Sequence, residues 1–177
     1  MQAIIWIFFL LLIILSLSIV WFSWHYGISP MPTSKKVKKI LLQELPPHYE
    51  GIIYELGSGW GTLAFPLAKK YPQATVVGYE ISWLPFLFSI IRLFFCPQKN
   101  LIFRRRDFFK ENLSYAHFVI CYLYPKAMRQ LEFKLEKEAP ENTLVVSHTF
   151  AFRTIKPIKK IVVEDLYRTS IYYYLIK

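Results

Sequence analysis

The chain has 177 residues, a formal net charge of +10 and a mean hydropathy of +0.29. That length holds one domain and an appendage, and so high an apolar share is rare in a soluble basic protein, so one segment must skew the average. With only 2 cysteines there is no disulfide framework. Cys96 and Cys121 both lie in apolar surroundings and are expected as buried, reduced thiols. Neither has histidines at ligand spacing, so no metal site is expected.

The apolar excess is concentrated at the N-terminus. No charged residue occurs from Ala3 to Trp24, and about 20 apolar residues at ~1.5 Å each match the ~30 Å hydrocarbon core of a bilayer. The expectation is a single transmembrane helix within residues 1–28. A cleaved signal peptide is the alternative, but the run has no basic flank before it. Lys35, Lys36, Lys38 and Lys39 follow the run. By the positive-inside rule they place the rest of the chain in the cytoplasm, as a single-pass protein of the inner (plasma) membrane with membrane lipid as a partner. This basic cluster accounts for part of the charge, so no nucleic-acid partner is expected.

Residues 29–50 read as a linker and a first helix. Pro30 and Pro32 favour extended chain, and Ser34 can cap a helix reaching about Leu45, with Val37, Ile40, Leu41 and Leu45 at helical spacing. From residue 51 to 177 strands and helices alternate: strand 51–56, helix 61–71, strand 74–80, helix 83–95, strand 101–105, strand 118–123, helix 125–138 and strand 143–148. The helix at 83–95 is very apolar and is expected in the core. The order implies a doubly wound, Rossmann-like α/β sheet. "KIVVEDL" and "SIYYYLIK" then follow with only "YRT" between them, and read as a C-terminal antiparallel β-hairpin at the sheet edge.

The stretch "IIYELGSGWGTLAF" carries the chemistry. Its glycines, Gly57, Gly59 and Gly61, are spaced G-x-G-x-G and follow an acid, Glu55. A dinucleotide fingerprint is spaced G-x-G-x-x-G, and a pyrophosphate disfavours a neighbouring carboxylate. A cofactor with an amino group and a sulfonium favours one, which points to S-adenosylmethionine (SAM). Glu55, Gly57, Ser58, Gly59 and Gly61 are the expected turn. Glu80 ends the next strand, where a carboxylate accepts from ribose hydroxyls, and Asp107, after the third strand, can reach an exocyclic amine.

"YELGSGWG", "GYE" and "RDF" resemble motifs I, II and III of the class I, seven-β-strand methyltransferases. A closer resemblance is to the membrane-anchored protein lysine methyltransferases of the ATP synthase c-subunit and adenine nucleotide translocase type. "PMPTS", "ELGSGWG" and "GYE" occur here in the same order, and "ENLSYAHFVICYLYPKAMRQLEFKLEKE" is similar to their fourth strand and following helix. The chain departs from that pattern at Trp60, where an aspartate is usual, at "ISWLPFL" after "GYE", and in its short end after His148. The resemblance implies SAM use and a membrane protein substrate carrying a lysine.

At the acceptor side the fourth strand ends in "CYLYPK", without an acid. A lysine that arrives deprotonated needs no strong base, so this suits it. Tyr122 and Tyr124 are expected to line the acceptor slot, Pro32 and Thr33 to adjoin it if the resemblance holds, and His148 to stand at its mouth, where it can relay a proton. The alternatives are a lipid or small membrane molecule as acceptor, or a non-catalytic SAM-binding module.

Overall fold

The computed structural model describes residues 2–26 and 32–177, with side chains of the first helix up to Leu17. The chain divides into two compact units, Met1–Met31 and Pro32–Lys177. In the first, α1 spans Gln2–Tyr26. Among the described residues no helix is long and apolar enough to cross a membrane. This overturns the expected transmembrane helix. The membrane-lipid partner, the single-pass inner-membrane placement and the anchored form of the function fall with it. The end of the expected anchor segment, residues 27–28, and the first part of the expected linker, residues 29–31, lie outside the described residues.

The second unit opens with α2 (Lys35–Glu44), capped as expected: the Ser34 side chain accepts from the Val37 N–H. The elements that follow are β1 (Gly51–Leu56), α3 (Ala64–Lys70), β2 (Ala74–Tyr79), α4 (Trp83–Phe95) and β3 (Leu101–Arg104). After a 3₁₀ turn at Phe108–Lys110 come β4 (Phe118–Cys121), α5 (Pro125–Glu138), β5 (Thr143–His148), β6 (Lys159–Val162) and β7 (Ser170–Ile176). They form a 7-stranded sheet in the order β3-β2-β1-β4-β5-β7-β6. β1 to β5 are parallel, while β7 runs antiparallel to both β5 and β6. The Rossmann-like sheet and the terminal hairpin are therefore as expected, with β7 inserted inside β6.

Period-two alternation sorts the strand side chains onto two cores. Ile53, Val76, Phe118, Ile120 and Val146 meet α2 and α3 on one face. Tyr54, Val77, Val119, Cys121 and Val145 meet α5 on the other. β1 and β4 adjoin in space but not in sequence, so the order of connection reverses between them. In open α/β sheets that crevice, beyond the carboxyl ends of the strands, is where ligands bind.

Three sequence expectations shift. α3 starts at Ala64 rather than residue 61, because Gly61 has φ +68°, outside the helical region. The hairpin turn is longer than "YRT": pairing stops at Val162 and Ser170, and Asp165 holds the turn by accepting from the Thr169 N–H and hydroxyl at 2.7 Å each. Cys96 is exposed at the end of α4, while Cys121 is buried as expected. Both thiols are free. The outer face of α4 is also less covered than a core helix requires, with Trp83, Leu87, Phe88, Ile91, Phe94 and Phe95 exposed.

Candidate active site

β1 ends and the chain turns at once. The Gly57 and Ser58 amides both donate to the carbonyl of Tyr79, the last residue of β2, at 2.9 and 2.8 Å, and Gly61 N–H donates back to Ser58. The turn thus hangs on the neighbouring strand. Two of its glycines have different reasons to be glycine. At Gly61 (φ +68°) a Cβ would come within 2.9 Å of the Phe103 ring. At Gly59 (φ +51°) a Cβ would meet nothing within 4 Å, so the turn opens there onto free space. α4 braces the turn from outside: buried Ser89 donates from its hydroxyl to the Gly59 carbonyl at 3.0 Å, and Trp60 meets Phe88 edge to face. Sequence reasoning missed Ser89; a single hydroxyl at a buried position of an otherwise apolar helix was the available signal.

Alternation also places the acids. Glu55 and Glu80 follow the same side of β1 and β2 as Ile53 and Val76, and both are buried. Glu80 accepts from the Gly59 amide at 2.8 Å through Oε2 and from the Ser82 amide at 2.7 Å through Oε1, which ties the turn to the start of α4. Glu55 is less well satisfied. Its Oε2 is buried with no hydrogen-bond partner, as is Oγ of Ser58 in the same turn. Burial, and secondly the nearby Glu80 carboxylate, push the Glu55 pKa up to about 8 against the pull of the Ala64 N–H. A pair of crowded carboxyls, one with an unpartnered oxygen, beside a turn open at Gly59 fits a cationic group with hydroxyls and amines to donate.

Asp107 is placed apart from this group. Its side chain caps the 3₁₀ turn by accepting from the Phe109 N–H at 3.0 Å, and it borders an open depression with Phe133 and Lys137 of α5. The preceding arginines are engaged locally: Arg105 stacks over Trp83 at 3.7 Å, and Arg106 pairs with Glu111.

On the acceptor side the structure joins Tyr122 and His148 and separates Tyr124. The Tyr122 ring, at the end of β4, stacks on the His148 imidazole with centroids 4.1 Å apart. Tyr124, two residues on, packs against the opposite core. His148 is 3% exposed, and burial holds its pKa down at about 4, so the ring is neutral at physiological pH. Its Nε2 lies 3.1 Å from the Thr33 hydroxyl and its Nδ1 3.3 Å from the Thr149 hydroxyl. Thr149 has φ +72°, a left-handed conformation that a β-branched residue rarely adopts. Behind it, buried Glu132 of α5 holds the following loop, accepting from the amides of Arg153, Thr154 and Ile155 and the hydroxyl of Thr154.

A Rossmann-like sheet with a G-x-G-x-G turn, paired acids at the first two strand tips and an inserted β7 defines a class I SAM-dependent methyltransferase. The chain matches, over residues 55–159, the family model described as the ANTKMT methyltransferase domain. It belongs to that family. It is 31% identical over 140 residues to a protein-lysine N-methyltransferase of Saccharolobus islandicus, covering 76% of this chain and 84% of that protein. It is also 31% identical over 111 residues to the adenine nucleotide translocase lysine N-methyltransferase of Mus musculus, spanning 61% of this chain but only 47% of the mouse protein. Among solved structures, an RNA methyltransferase from Salinibacter ruber in complex with S-adenosylhomocysteine superposes with a TM-score of 0.73 at 27% identity, covering 82% of this chain and 94% of that one. The protein is an enzyme that uses SAM.

Proposed function

We propose that the enzyme transfers methyl groups from SAM to the side-chain nitrogen of a lysine in a protein substrate. The observation that carries this reading is the chemistry of the acceptor side. At the ends of β4 and β5 it offers an aromatic ring, Tyr122, and a neutral imidazole, His148, in place of a carboxylate. The relatives from Saccharolobus islandicus and Mus musculus support it, both being lysine N-methyltransferases by name. The finer assignment, to the type acting on adenine nucleotide translocase or the ATP synthase c-subunit, rests on the "PMPTS", "ELGSGWG" and "GYE" order.

Bound SAM supplies an electrophilic methyl group, and the chain's residues supply the rest. Glu55, Ser58, Gly59 and Glu80 are the residues we assign to holding it: Glu55 toward its positive charge, Glu80 toward ribose hydroxyls, Gly59 by leaving room. Asp107 remains a candidate for the base amine through the part of its carboxylate not used as a cap. The Tyr122 face attracts an ammonium or a methylated ammonium through its ring quadrupole. Tyr124 fits the acceptor slot less well, because it packs against the opposite core.

The test is methyl transfer from labelled SAM to total cellular protein, followed by hydrolysis and separation of methylated amino acids. Label in methyl-lysine that disappears in Glu80→Ala supports the reading. Label confined to RNA, to lipid or to another amino acid overturns it.

A further inference from the structure

Lysine arrives as an ammonium, with an unperturbed pKa near 10.4, and its nitrogen is a nucleophile only after a proton has left. The proposed function needs an outlet for that proton. Among the described residues no carboxylate base is at hand on the acceptor side, and buried His148 is a poor final resting place for a charge.

The geometry offers another route. The imidazole of His148 is flanked by a hydroxyl on each ring nitrogen, Thr33 on Nε2 and Thr149 on Nδ1. The buried ring has a more open hydroxyl at each end: Thr33 is half-buried, His148 is buried and Thr149 is exposed. Stacking on Tyr122 prevents the ring from turning away. The row is also held under strain. Thr149 keeps its left-handed backbone because its N–H donates to the Ser170 carbonyl at 2.8 Å in the inserted strand β7, and strained residues of this kind cluster at functional sites.

We propose that Thr33, His148 and Thr149 form a proton wire that deprotonates the acceptor lysine, an inference that rests on the lysine reading above. The ammonium N–H donates to the Thr33 oxygen, whose own proton passes to Nε2. Nδ1–H passes its proton to the Thr149 oxygen, whose proton leaves to water. One N–H bond of the ammonium breaks, one water is protonated, and both hydroxyls are regenerated. The imidazole exchanges its Nδ1–H form for its Nε2–H form without becoming charged. It resets through water at both ends once the product has gone.

Burial keeps His148 neutral, with no charged group among the described residues contributing. The groups facing it are the Tyr122 phenol ring from the end of β4, the Thr33 hydroxyl from the segment before α2 and the Thr149 hydroxyl. Lys36 of α2 is turned to the Glu164 carbonyl in the hairpin turn.

The test has two arms on the full chain. The first reads the ring without turnover. With 4 histidines in the chain, nitrogen-15 correlation spectra of the imidazoles can be assigned by the loss of one set in His148→Gln. The expected result is a neutral ring protonated on Nδ1 from about pH 6 to 9. A ring protonated on Nε2, or one that titrates within this range, overturns the wire whatever the enzyme methylates.

The second arm follows kcat and KM for methyl-lysine formation on poly-L-lysine and on total cellular protein. Thr33→Val, His148→Gln and Thr149→Gly are each expected to lower kcat about ten- to a hundredfold near pH 7 with little change in KM. The deficit should shrink to within about threefold near pH 10, where free lysine has lost its proton unaided. Thr149→Ser should recover most of the rate, and Thr149→Gly, freed of the strained backbone, should not lower Tm. A deficit equal at all pH values, or one that follows lost Tm, would mean a structural role and overturn the wire. Absence of methyl-lysine with the unaltered enzyme on both acceptors would instead overturn the lysine reading, and the spectra would still judge the wire.

Discussion

Glu55→Gln separates what the site costs from what it does. The wild-type carboxyl is 4% exposed and held at about 8, against an ordinary 4.5, by burial first and Glu80 second. Between pH 4.5 and 8 the folded enzyme therefore binds more protons at this position than the unfolded chain does. The sign follows: without cofactor, the contribution of Glu55 to stability is greatest below about pH 4.5 and falls as pH rises to about 8, then levels off. At ~1.4 kcal/mol per pH unit the ceiling on this loss is on the order of 5 kcal/mol, and relaxation of the site reduces it to a few. The amide cannot ionise and escapes the loss. Melting curves from pH 5 to 9 should show Glu55→Gln gaining on the wild type as pH rises, by several degrees at the alkaline end. Cofactor binding should move the opposite way. A cation favours the ionised carboxyl, so wild-type affinity for SAM should rise with pH through about 8 and binding should release up to one proton. The variant should bind about tenfold more weakly, with a flat pH dependence. Calorimetry in two buffers of different ionisation enthalpy reads the proton directly. Equal pH dependence of Tm in the two proteins, or no proton released by the wild type, would refute the assignment.

Gly61→Ala should cost about 2 kcal/mol or more in stability, from the left-handed backbone and the Cβ contact with Phe103. Gly59→Ala should fold with a loss of about 1 kcal/mol yet bind S-adenosylhomocysteine far less tightly, because its methyl enters the free space beside the turn; parallel melting and binding curves distinguish the two. Glu132→Ala should lose on the order of 2–4 kcal/mol by leaving the amides of residues 153–155 without their carboxylate. Burial raises the Glu132 pKa, but those hydrogen bonds outweigh it and the net shift is downward. Its stabilisation is therefore present above the ordinary carboxylate range and lost as pH falls through the lowered value, visible as an acid limb in chemical denaturation that Glu132→Gln lacks.

The parallel sheet was legible in the sequence because each strand is a short apolar run and each helix repeats at its own period. The glycine turn and Glu80 were legible because chain order alone puts them at successive strand tips. What pattern could not show was the third dimension of the site. Tyr122 and Tyr124 look equivalent in "CYLYP", yet the strand ends at Cys121, before both, and only the first meets His148. Asp107 follows its strand as a motif acid does, but competes for a local amide that periodicity does not reveal. The first helix misled through composition: an unbroken apolar run was read as a span, and among the described residues none is long and apolar enough to be one. Periodicity leaves no trace of the contact between Thr33 and His148 across 115 residues; only the "PMPTS" resemblance pointed to Thr33 on the acceptor side.

The two amides of Gly57 and Ser58 that converge on the Tyr79 carbonyl give the turn the rigidity of the central sheet. Many nucleotide loops are mobile until their ligand arrives and lose affinity to that ordering. Here the ordering has been done during folding, at the cost of three left-handed glycines. These amides should resist hydrogen exchange nearly as long as the core strands do, with or without cofactor. Association should accordingly run at the rate of encounter, without a slow step for closing the turn, so variants of the turn are expected to change how long the cofactor stays more than how fast it enters.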